Sequence, residues 1–137
     1  MTNHEFASAY FEQAISIYGE LKSHYKAKEW HLVVRRAQES VELLLKGFLR
    51  QAGIEIPRIH DVGNILKQEQ KRLPLELVKA LPKIISISRR LRQERETSFY
   101  GDEEQELPPS ALYSQVDADQ AKQDVEWLLE FMPSKDK

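Results

Sequence analysis

Apolar residues recur at steps of three and four along almost the whole chain, a period that builds helices and leaves no convincing strand. Breaks are sparse, with five glycines and six prolines among 137 residues, so helices are expected to be long and most connections short. Ala7, Tyr10, Phe11, Ala14, Ile17, Tyr18 and Leu21 form one stripe of a first helix over about residues 4–25, while Glu12, Gln13, Ser16 and Glu20 occupy much of the rest. Trp30, Val33, Val34, Ala37, Val41, Leu44, Leu45 and Phe48 mark a second, central helix, on which Glu42 and Lys46 are spaced as an i,i+4 ion pair. Gly53 suits the left-handed position past its end, Ile54 can fold back as a capping contact, and Pro57 stops it near Gln51 or Ala52.

Asp61 is placed to cap a short third helix that buries Val62, Ile65 and Leu66. Pro74 opens the next run as a first-turn proline, and Pro82 predicts either a kink or a fresh start. From Lys83 to about Phe99 the pattern Ile84, Ile85, Ile87, Ser88, Leu91 is helical, with arginines on the opposite side. Residues 101–114 join an acidic run to a diproline and read as an ordered or semi-ordered loop. Ser114 or Asp117 can cap a last helix carrying Ala118, Ala121, Val125, Leu128, Leu129 and Met132, which Pro133 ends. The expected fold is all-α, an antiparallel up-and-down bundle of four to five helices. One domain would span residues 1–133, with 134–137 a frayed tail.

Composition removes several classes of function. Without cysteine there is no disulfide, thiolate metal site or cysteine nucleophile, a usage that fits a reducing cytoplasm. The first residues lack a basic, then apolar leader, and no apolar run approaches a membrane span, so a soluble, unprocessed, cytoplasmic protein is expected. A net charge of −2 argues against global attraction to nucleic acid, so any RNA or nucleotide contact must be local.

Chemistry concentrates at Arg95-Glu-Thr-Ser-Phe-Tyr100-Gly-Asp102-Glu, where a helix bearing Arg89, Arg90, Arg92 and Arg95 runs into an acidic, aromatic turn. There the Arg95 guanidinium can hold an oxyanion bidentately while the Tyr100 phenol donates a hydrogen bond, or Arg95 can simply pair with Glu96 or Asp102 while Tyr100 packs its ring beneath the loop. Arg92, Arg95, Tyr100 and Asp102 are the candidate ligand-binding residues, and Arg95 and Tyr100 are the candidates for any catalysis. Lys79, Lys83, Arg89, Arg90, Arg92 and Arg95 read as a solvated face, locally neutralised by Glu94, Glu96, Asp102, Glu103 and Glu104. His60 beside Asp61 reads as a helix start, and Glu42 and Lys46 as structural. Scattered histidines and single glycines predict no metal site, phosphate loop or cofactor.

The run Ala37-Gln-Glu-Ser-Val-Glu-Leu-Leu-Leu-Lys46-Gly, then Ala52-Gly-Ile, His60-Asp61-Val, and Arg95 through Tyr100-Gly-Asp-Glu resembles the HEPN family, named for higher eukaryotes and prokaryotes nucleotide-binding. That resemblance spans nearly the whole chain and implies a helical bundle, usually a homodimer, often encoded beside a minimal nucleotidyltransferase in a toxin–antitoxin-like pair. Many such proteins are ribonucleases with an Arg followed four to six residues later by a His. Here Arg95 is followed after four residues by Tyr100, and none of His4, His24, His31 or His60 has an Arg at that distance upstream. Tyrosine, with a reference pKa of about 10, moves protons poorly near neutrality. A binding module for a nucleotide, RNA or nucleotidyltransferase partner is therefore expected ahead of a ribonuclease with a composite dimer site. Tyr100 is also a possible acceptor for a nucleotidyl group. Dimerisation is further expected from Phe6, Trp30, Ile54 and Phe99, apolar residues in excess of what a small bundle buries.

Overall fold

The computed structural model describes residues 2–56 and 61–137, so the expectations resting on Pro57 and His60 fall outside the described residues. Helix α1 (Asn3–Lys26) starts from a capping box: the Thr2 hydroxyl accepts the Glu5 N–H at 3.1 Å, and the Glu5 carboxylate accepts the Thr2 N–H at 3.0 Å. A short turn, with Lys28 at φ 60°, sends the chain back into α2 (Trp30–Gln51). The short connection makes α1 and α2 antiparallel neighbours, and theirs is the most extensive packing in the molecule.

Two features hold that pair close. Gly47 faces the buried Phe11 ring, and the buried Ser40 hydroxyl donates to the Ala14 carbonyl of α1 at 3.0 Å. At the end of α2, Gly53 adopts φ 77°, the Ile54 N–H returns to the Leu49 carbonyl at 2.9 Å and Ile54 is buried, a Schellman cap as its sequence predicts.

Asp61 caps α3 (Val62–Gln68) by accepting the Asn64 N–H at 3.4 Å. After a 3-10 turn at Gln70–Arg72 comes α4 (Leu75–Gln93), where the structure departs from two expectations and narrows a third. Pro74 is the residue before the helix, not within its first turn. Of the two outcomes expected at Pro82 the fresh start is excluded, because Leu77, Leu81, Ile84, Ile87 and Leu91 bury one continuous stripe through it that offsets a lost hydrogen bond. The helix also stops at Gln93, short of Phe99, and the Glu94 and Arg95 N–H groups bond three residues back. A separate turn, α5 (Thr97–Tyr100), follows.

Residues 101–114 are ordered by one antiparallel bridge between Asp102 and Leu107 and by α6 (Pro109–Leu112). Ser114 is the cap residue of α7 (Gln115–Leu129), its N–H donating to the Asp117 carboxylate at 2.9 Å. Ser134–Asp136 forms a 3-10 turn that contacts α1.

The core runs between α1, α2, α4 and α7, an all-α bundle with no strand among the described residues. Of the four apolar residues expected to seek a partner, Ile54 is buried in its cap and Trp30 packs edge-on against Tyr25. Phe6 lies partly covered beneath the Arg50 guanidinium, which leaves Phe99 as the exposed one.

Candidate functional site

Helix α4 ends where its apolar stripe gives out after Leu91, and the arginines of its last turns disperse as the backbone leaves the helical path. Arg90 donates to Asp124 of α7 at 2.7 Å, and Asp124, only 3% exposed, also accepts the Gln120 amide at 3.0 Å. Arg92 turns the other way and pairs with the α3 cap Asp61 at 2.9 Å. It borders a small crevice with Gln38, Glu42 and Ser88. Arg95 is exposed, and its backbone carbonyl accepts a hydrogen bond from the Arg35 guanidinium at 2.6 Å.

Arg35 also stands over the Phe99 ring, its guanidinium carbon 5.1 Å from the centroid, so α2 fixes both ends of the turn between α4 and α5. Ser98 is fully buried beneath that turn. The following residues point outward: Phe99 is 54% and Tyr100 63% exposed, and their rings meet edge-on at 4.9 Å.

Gly101 and the Asp102–Leu107 bridge then fold the acidic run back on itself. The two backbone bonds are 2.8 and 2.9 Å, and the Asp102 carboxylate accepts the Gln105 N–H at 3.1 Å. Tyr100 and Asp102 share an open hollow of about 450 Å³ with Glu96, Thr97, Gly101, Glu103 and Glu104. Arg92 and Arg95 are not in its wall.

The charge of this corner follows directly. Between residues 92 and 106 six carboxylates (Glu94, Glu96, Asp102, Glu103, Glu104, Glu106) face two guanidiniums (Arg92, Arg95), one of which is already paired. Such a surface repels phosphate and attracts cationic groups. The carboxylates do not converge into a group able to hold a metal ion among the described residues. Glu94 is engaged as well, accepting a hydrogen bond from Tyr113, whose phenol pKa is pushed up by burial first and then by Glu94 and Asp117.

The three described histidines scatter. His24 bonds Glu29 at the end of α1, His4 lies beside Lys135, and His31 sits one helical turn ahead of Arg35 on α2. Sequence reasoning missed Arg35, the residue that clamps the corner. Its only signal was the Arg35-Arg36 doublet at the edge of the α2 stripe, and such doublets mark solvated faces just as well.

No described helix is long and apolar enough to cross a membrane. The HEPN domain family model matches residues 7–135, and no curated protein or solved structure gives a match. Covering the helices of the core, the corner at Arg95–Asp102 and the closing α7, that match shows that the chain belongs to the HEPN domain family, which is generally associated with nucleotides and RNA.

Proposed function

We propose that this HEPN domain is an interaction module whose α4–α5 corner docks a protein partner, a nucleotidyltransferase encoded beside it in a two-gene, toxin–antitoxin-like pair. The observation that carries the reading is the Phe99–Tyr100 pair, with Arg35 standing over the Phe99 ring and both aromatics more than half exposed at the edge of an acidic turn. Aromatic anchors with a charged rim are what partner surfaces use, and carboxylates select a basic counterpart. Direct RNA or nucleotide binding at this corner is the weaker reading, since the carboxylates there outnumber free guanidiniums. On this account the family's link to nucleotides runs through the partner.

The test is co-expression with the adjacent nucleotidyltransferase, followed by calorimetric titration. Phe99→Ala with Tyr100→Ala is expected to weaken the complex about 30-fold or more, the scale of an interface hot spot. Equal affinity of wild type and double variant would remove the corner from the interface. Cleavage of a mixed RNA pool, lost in both Arg95→Ala and Tyr100→Phe, would overturn the reading in favour of a ribonuclease. Mass spectrometry of the co-expressed chain shows in the same experiment whether the exposed Tyr100 hydroxyl accepts a nucleotidyl group.

A further inference from the structure

A second concave surface lies away from Tyr100 and Asp102, between α3 and α4, and we propose that it binds a small organic phosphate, a dianion attached to a ring or short apolar body. The inference is independent of the partner-docking reading and uses none of the residues of that hollow. The groove holds about 450 Å³, in the range of small-molecule sites. Val78, Leu81, Pro82 and Ile85 of α4 form its apolar floor. Lys67 and Arg89 border it from different helices.

Charge selects the ligand. Neither Lys67 nor Arg89 has an ion-pair partner among the described residues, and Met1 and residues 57–60, the remaining ones, contain no carboxylate. The one acid in the wall, Asp61, is committed to Arg92 at 2.9 Å and to the Asn64 N–H. Two unneutralised cations therefore border one cavity, and a phosphate dianion satisfies both where a carboxylate satisfies one. Asn64, Gln70 and Ser86 supply further polar contacts for a hydroxyl or ester oxygen. The ring lies on the Pro82 side, with the phosphoryl group between Lys67 and Arg89.

Phenyl phosphate is the probe, titrated into the full chain and followed by backbone amide shifts and calorimetry, with inorganic phosphate and phenol as controls. Shifts are expected at Asn64, Lys67, Ser86 and Arg89, and each control should bind about tenfold more weakly because it lacks either the buried ring or the charge. Lys67→Gln and Arg89→Gln change exposed side chains, so they are expected to fold normally and each weaken phenyl phosphate about tenfold. Tyr100→Ala should leave it unchanged. The proposal is overturned by absent binding, by equal affinity for either control, by Gln variants that bind like wild type, or by loss of binding in Tyr100→Ala.

Discussion

Gly101 takes φ 78° and ψ −163°, a conformation essentially closed to residues with a side chain, and a Cβ there would stand 2.2 Å from the Leu107 carbonyl oxygen. Gly101→Ala is therefore expected to open the Asp102–Leu107 bridge and lower stability by about 1–3 kcal/mol, read by urea unfolding. An unchanged midpoint would mean the acidic turn contributes nothing to the fold. Gly-Asp in the sequence announces a turn, but the ban on a Cβ comes from Leu107 returning against it, which depends on residues six further along. Arg92 and Arg95 illustrate the same limit. Three apart, they read as neighbours on one helix, yet the helix stops between them, so Arg92 goes to Asp61 and Arg95 to solvent.

Among the helices, α1 and α2 are joined most closely where Gly47 meets Phe11. Glycine inside a helix costs about 1 kcal/mol relative to alanine, so Gly47→Ala would be stabilising on propensity alone. A Cβ at that position, however, lies 2.4 Å from the nearest Phe11 ring atom, and Phe11 is buried in the core. Overpacking outweighs propensity: Gly47→Ala is expected to lose about 1–3 kcal/mol in chemical denaturation. A gain in stability would show that the two helices can part without penalty. Element positions were readable because the 3.6-residue period and the caps at Asp61, Ser114 and Gly53 are local signals. Pro82 starts no fresh helix because its cost of about 3 kcal/mol in an isolated helix is overridden by the buried stripe on either side.

Across the whole molecule, phenol–carboxylate bonds tie the late segments to the bundle: Tyr18 to Glu126, Tyr25 to Asp119 at 2.5 Å, and Tyr113 to Glu94. Burial raises the Tyr18 and Tyr113 pKa values above the ordinary 10.0, and the facing carboxylates add to the rise. A folded-state pKa above the unfolded one contributes stability that is fully present below pH 10 and is lost as pH climbs towards the folded value. Unfolding free energy is thus expected to fall above about pH 10, and less steeply in Tyr18→Phe and Tyr113→Phe. A wild-type alkaline limb identical to that of both variants would assign the loss to other groups. Burial raises the Glu126 pKa, but the Tyr18 bond and the charges of Lys122 and Lys22 outweigh it, so its contribution is present above its ordinary value and fades as pH falls through the lowered one. The helical class, the central place of α2 and most helix starts all follow from short-range pattern, because period and capping involve residues within a few positions of one another. The Arg35 clamp, the split of Arg92 from Arg95, the acidic hollow and the basic groove beneath α3 were set by packing, since each joins residues far apart in the chain whose directions are fixed only when the helices meet.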